Sequence, residues 1–147
     1  MKISEFLSPA DTLIDIRVPK KDKLLKELAH RAAMQVHVPE AEIVAELLKR
    51  EELGSTGMGN GVAIPHARFQ LLTKPFGIFA RLKQPIDFQA IDGQPVDIVF
   101  VLLLPTVSEG EQLGALACVA RKLRESGELA KLRKAKNASE LHAALTA

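Results

Sequence analysis

The stretch Val96-Asp97-Ile98-Val99-Phe100-Val101-Leu102-Leu103-Leu104-Pro105 decides the architecture. A strand with one wet face alternates polar and apolar residues, whereas Val96 to Leu104 is nearly continuous in Val, Ile, Leu and Phe. Such a strand is covered on both faces. Its longest unbroken apolar run, Ile98 to Leu104, stops at Pro105, far short of the ~20 residues a membrane-spanning helix needs.

Working outward, Phe76 to Lys83 reads as another strand, with the turn signal Ile91-Asp92-Gly93 between the two. Thr12 to Val18 is β-branched and alternating, a first strand ended by Pro19. From Lys21 the period changes: Leu24, Leu25, Leu28, Ala29 and Ala32 make one apolar helical face, which stops before Val38-Pro39. Pro39 suits the first position of a second helix, with Ile43, Val44, Leu47 and Leu48 as its buried stripe and an end near Leu53-Gly54. Ser108 with Glu111 matches a capping box before a long helix carrying Leu113, Leu116, Ala117, Ala120 and Leu123. Asn137 with Glu140 resembles a second box before a short closing helix. Helices that alternate with buried strands predict a three-layer α/β domain, a β-sheet flanked by helices on both faces. The Arg68 to Pro75 connection is too short for a helical crossover, so the sheet is expected to be mixed.

The chain has 147 residues, 47% of them hydrophobic, and a net charge of +2 from 20 basic and 18 acidic side chains. That length predicts one domain over residues 1–147 that needs no disulfide or metal staple. A single cysteine, Cys118, cannot close an internal disulfide or build a thiolate zinc cage, and reads as a small core residue. The apolar residues of Met1 to Pro9 are interrupted too early for a secretory signal, so a cytoplasmic location is expected, without membrane insertion. Trp and Tyr are absent and the charge balance is nearly even, which argues against nucleic-acid binding.

The chemistry centres on Gly54-Ser55-Thr56-Gly57-Met58-Gly59-Asn60-Gly61, four glycines in eight residues, followed by Val62-Ala63-Ile64-Pro65-His66. His30, His37 and His142 read as bystanders. His66 differs in standing where a rigid apolar segment meets the glycine loop. Histidine spacing and the lone cysteine give no metal site, and no cofactor is implied. A Ser/His/Asp hydrolase lacks its Gly-x-Ser-x-Gly elbow, and the loop has neither Gly-x-Gly-x-x-Gly nor a Lys-Ser/Thr ending for a nucleotide. Two readings of the loop stay open: a tight surface turn, or a concave nest whose N–H groups hold an anion. For the second, Ser55, Thr56, Gly57, Gly59, Asn60 and Gly61 are the candidate phosphate-binding residues, with the guanidinium of Arg50 beside them. A neutral imidazole is a competent nucleophile near pH 7, so His66 could itself carry the phosphate.

The run Leu48 to Ala67, with its Arg50-Glu51-Glu52-Leu53-Gly54-Ser55-Thr56-Gly57 core and its Ile64-Pro65-His66 ending, resembles the signature of enzyme IIA domains of the bacterial phosphotransferase system, fructose/mannitol type. Ile86 to Asp97 is similar to that family too, and the likeness extends over essentially the whole chain. The wording of the glycine loop looks most like the nitrogen-regulatory, PtsN-like branch. The resemblance implies a mixed sheet flanked by helices and a phosphoryl acceptor at His66. It further implies Arg50 as the stabilising guanidinium, an HPr-type phosphocarrier as donor, and regulatory target proteins that read the phosphorylation state. In many members a His-Leu segment follows near the active histidine. Here Glu111-Gln112-Leu113-Gly114 stands there, so Gln112 is the candidate partner of the imidazole, and slower onward transfer is expected.

Two other functions compete. One is a sugar-specific enzyme IIA that passes its phosphate to a IIB domain. The other is a protein- or nucleic-acid-binding module that uses the basic residues Arg121, Lys122, Arg124, Lys131, Arg133, Lys134 and Lys136, whose plainer reading is the solvated side of two helices. Phe69, Leu71 and Leu72 are either a docking rim beyond His66 or part of the core.

Overall fold

A computed structural model describes residues 1–106 and 109–147, the side chains of 109–113 excepted. Six strands form one mixed sheet: β1 (Thr12–Ile16), β2 (Gly57–Gly59), β3 (Val62–Ala63), β4 (His66–Phe69), β5 (Phe76–Ile86) and β6 (Val96–Pro105). Their order is β1-β5-β6-β3-β2, with β4 also on β6. The described helices are α1 (Lys21–Ala33), α2 (Glu40–Glu52), α3 (Glu109–Arg124), α4 (Ser126–Lys134) and α5 (Ala138–Thr146).

The central pair β5 and β6 is antiparallel, while β1 runs parallel to β5, and β3 and β4 run parallel to β6. The mixed sheet follows from the short β4–β5 connection anticipated above. Along β6, Val99, Val101 and Leu103 face one apolar layer with α1 and α2. Ile98, Phe100, Leu102 and Leu104 face the other, with α3, α4 and α5. This is the period-2 alternation of a strand with both faces buried, and it makes the three-layer arrangement.

Several boundaries differ from the sequence reading. β1 ends at Ile16 rather than Val18, after a register shift in which Asp15 adopts a φ of 56°. β5 runs on to Ile86, past Lys83, through another shift in register. Pro39 caps α2 from outside: its ψ is 139°, and its carbonyl accepts from Glu42 and Ile43 N–H at 3.0 and 3.1 Å. The expected long helix is followed by a separate one, α4, because the backbone of Glu125 between them is extended, with ψ 122°. The closing helix starts as anticipated: Glu140 N–H donates to Asn137 Oδ1 at 2.8 Å. Ser108 of the other box lies outside the described residues. Phe69 and Leu72 belong to the core and only Leu71 is exposed.

One edge of β6 is occupied twice. β3 pairs through Val62 with Ile98, and β4 through His66 with Leu102. Ile64 and Pro65 bridge the two, with Leu102 N–H donating to Pro65 O at 2.9 Å. His66 is thus held at the first position of a strand tied to the centre of the sheet.

Candidate functional site

His66 opens onto a pocket of about 390 Å³ between α2, β4, Leu104 of β6 and Leu116 of α3. The helix contributes Glu46, Lys49 and Arg50 and its C-cap contributes Leu53, an i, i+3, i+4, i+7 stripe on one face. The strand contributes His66 and Arg68, which alternate to the same side, with Ala67 between them. Cations from two elements therefore share the pocket with the imidazole, and Leu53 is 83% exposed.

The ring is oriented by one hydrogen bond, its Nδ1 lying 2.8 Å from Ile64 O. A carbonyl only accepts, so Nδ1 carries the proton and Nε2 keeps the lone pair. Burial holds the His66 pKa below its ordinary value of 6.5. The Ile64 carbonyl and the Glu51 carboxylate oppose that shift, and the Arg50 and Arg68 charges add to it. Near neutral pH the ring is an uncharged imidazole with one nucleophilic nitrogen.

The structure brings His66 and Arg50 together and ties the glycine loop to its neighbours in the fold. Ser55 Oγ donates to Phe88 O at 2.6 Å and accepts from Gly57 N–H at 3.0 Å. Thr56 donates from its hydroxyl and its N–H to the Glu51 carboxylate. Gly57 packs where an added Cβ would lie 2.8 Å from the Ala90 Cβ. Asn60 N–H donates to Asp92 Oδ2 at 3.0 Å, and Asn60 O accepts from Arg133 at 2.6 Å. Gly61, at φ +80°, turns the chain where a Cβ would meet Arg133 at 2.5 Å. Gly59 stands opposite Val62 in the β2–β3 ladder. None of these six residues lines the pocket. Ser55, Thr56 and Asn60 direct these polar groups to partners within the fold. The loop reaches the site through Gly54, whose carbonyl accepts from Arg50 Nη1 at 2.8 Å. The Gln112 side chain lies outside the described residues.

Lys49, Arg68, Glu46 and Leu53 were missed by sequence reasoning. The signal was present in the spacing of Glu46, Lys49 and Leu53 around Arg50, and in the two-residue step from His66 to Arg68.

The remaining histidines stand elsewhere. His30 pairs with Glu40 at 2.6 Å on the surface, His37 is exposed, and His142 Nε2 donates to Leu7 O at 3.1 Å. Among the described residues, no group of three or more His, Cys, Asp or Glu side chains is placed to hold a metal ion, and no helix is long and apolar enough to cross a membrane. Part of the basic run is neutralised in place: Lys122 and Lys131 lie 2.9 and 3.8 Å from Glu128, and Arg133 lies 2.9 Å from Asp97.

Residues 5–147 match the family model described as phosphoenolpyruvate-dependent sugar phosphotransferase system, EIIA 2. A nitrogen regulatory protein of Bradyrhizobium diazoefficiens is 43% identical over 145 residues, 99% of this chain and 95% of that protein. The crystal structure of nitrogen regulatory protein IIA-Ntr from Neisseria meningitidis superposes with a TM-score of 0.92 at 35% identity, covering 98% of this chain and 99% of that one. IIA mannitol from Escherichia coli shares the fold, with a TM-score of 0.73 at 17% identity over 92% of this chain and 96% of that one.

Proposed function

Because the chain belongs to the EIIA 2 family of the phosphotransferase system, we propose that His66 accepts a phosphoryl group from the phosphohistidine of an HPr-type carrier and that the phosphorylated and free forms regulate different partner proteins. The observation that carries this reading is the pinned imidazole: Nδ1–H is committed to Ile64 O, and Nε2 is left free beside a pocket whose lining includes Lys49, Arg50 and Arg68.

In the step itself, the Nε2 lone pair attacks phosphorus as the carrier's N–P bond breaks, and that bond's electron pair returns to the carrier's ring. No proton need move. Nδ1 keeps its hydrogen, so positive charge spreads over the His66 ring as the new bond forms, and the Ile64 carbonyl faces that charge. Arg50 offers fork-shaped N–H groups to the phosphoryl oxygens, while Lys49 and Arg68 add charge at the pocket wall. These groups are in place before the carrier arrives, which is how electrostatic stabilisation lowers a barrier. The regulatory assignment, and its direction toward nitrogen metabolism, draws on the Bradyrhizobium and Neisseria proteins, which share the full length of the chain.

The test is incubation with phosphoenolpyruvate, enzyme I and an HPr-type carrier, followed by intact mass at neutral to mildly alkaline pH. The wild type gains one phosphate and His66→Ala gains none. Failure of the wild type to gain mass from a demonstrably active cognate carrier overturns the reading.

A further inference from the structure

We propose that Glu51, with its partner Lys21, is the positioning residue that holds the Arg50 guanidinium toward the phosphoryl site. The proposal rests on the phosphohistidine reading above and adds a second set of residues to it.

Arg50 and Glu51 are neighbours in the last turn of α2 and point in different directions. Arg50 reaches the pocket, whereas the Glu51 side chain is only 5% exposed. Its carboxylate lies 2.7 Å from Lys21 Nζ, a side chain only 15% exposed at the start of α1. The same carboxylate accepts from Thr56 N–H at 3.1 Å and from the Thr56 hydroxyl. Lys21 also donates to Phe88 O at 3.1 Å and sits 4.6 Å from the Phe88 ring centroid. Ser55 Oγ donates to that same carbonyl at 2.6 Å. Residues 55 and 56 are therefore clamped from two sides, by Glu51 and by Phe88, with Lys21 joining the clamps.

What the clamp fixes is the residue before it. Gly54 O is the acceptor for Arg50 Nη1, and Gly54 itself has a φ of +153°. A long arginine at a helix end loses rotamer freedom only if something holds it. Here the holder is a carbonyl whose direction is set by the loop, and the loop is set by Glu51. A buried ion pair is a poor way to gain stability, since well-packed apolar residues do as well or better. Orientation of the guanidinium accounts for its presence. The Glu51 charge also acts directly on the imidazole, raising its affinity for a proton against burial and Arg50.

The experiment compares wild type, Glu51→Gln and the double variant Lys21→Met with Glu51→Gln. Single-turnover transfer from a phosphorylated HPr-type carrier is measured across pH, together with melting temperature. The double variant leaves no buried charge alone, so its melting temperature recovers toward wild type while Glu51→Gln is lowered. Both variants transfer roughly ten- to a hundredfold more slowly at saturating carrier, as a displaced catalytic group does. Half-saturation stays within about twofold of wild type. A double variant that transfers within about twofold of wild type, or a loss of rate that disappears as stability recovers, overturns the proposal. Absence of transfer to wild type itself overturns the phosphohistidine reading instead.

Discussion

Replacing Arg50 by alanine separates charge from geometry at the proposed phosphoryl site. The guanidinium spends Nη1 on Gly54 O at 2.8 Å, leaving its remaining N–H groups for phosphoryl oxygens. A hydrogen bond to a charged group contributes about 1.5–3 kcal/mol. At 1.4 kcal/mol per decade, loss of one such bond from the transition state slows transfer roughly 10- to 150-fold. The protein itself suffers little, since a solvent-exposed hydrogen bond to a backbone carbonyl contributes about 1 kcal/mol or less. The pH dependence supplies an independent readout. The Arg50 charge holds the His66 pKa down, so its removal lets that pKa rise and leaves less neutral imidazole under mildly acidic conditions. The defect of Arg50→Ala is accordingly larger near pH ~6 than near pH ~8. Arg50→Lys keeps the charge and the inflection but loses the fork, and falls between the two in rate. Rapid-quench transfer from phosphorylated carrier at saturating concentration measures all three proteins. A rate for Arg50→Ala within about twofold of wild type near pH ~8, or an inflection that stays in place, refutes the reasoning.

Two other outcomes follow from the fold. His66 has a depressed pKa through burial, so the unfolded chain binds its proton first on acidification. Its contribution to stability is complete above 6.5 and is lost as pH falls below that value toward the folded pKa. Denaturant titrations over this window show a shallower pH slope for His66→Gln than for wild type; equal slopes contradict the assignment. Phe100 is fully buried, with its ring centroid 6.1 Å from that of Phe6 and 5.9 Å from that of Phe79 in an edge contact. Phe100→Ala should lower unfolding free energy by about 3–5 kcal/mol, read from the urea midpoint, with Phe100→Leu costing visibly less.

The sequence made β6 legible because an apolar run with no alternation has one structural use at that length, and the mixed sheet followed from a connection too short to hold a helix. His66 and Arg50 were legible together because each stands where a rigid element meets the glycine loop. The loop's own role was not. Its polar groups meet Phe88, Asp92 and Arg133, each more than thirty positions away in the chain, and no local pattern announces such partners. The Lys21–Glu51 pair is hidden for the same reason, since each half reads locally as a charge on an exposed helix. The break between α3 and α4 falls at a single extended residue, Glu125, a residue type that gives no turn signal. β1 stopped early at Ile16, just past Asp15, whose left-handed backbone no strand propensity anticipates.

The double occupancy of one edge of β6 also sets an order of events during synthesis. Strands β3 and β4 leave the ribosome before β6, and β5, which lies on the opposite edge, does so too. Until Ile98 to Leu104 emerge, His66 has no neighbouring strand, Val62 has no parallel partner, and the hairpin of β2 and β3 stands apart from the sheet. A nascent chain cut short before this point carries His66, Arg50 and Arg68 but lacks the strand on which β3 and β4 are aligned. Competence therefore arrives late and at one step, so that half-made copies present no assembled acceptor to the carrier.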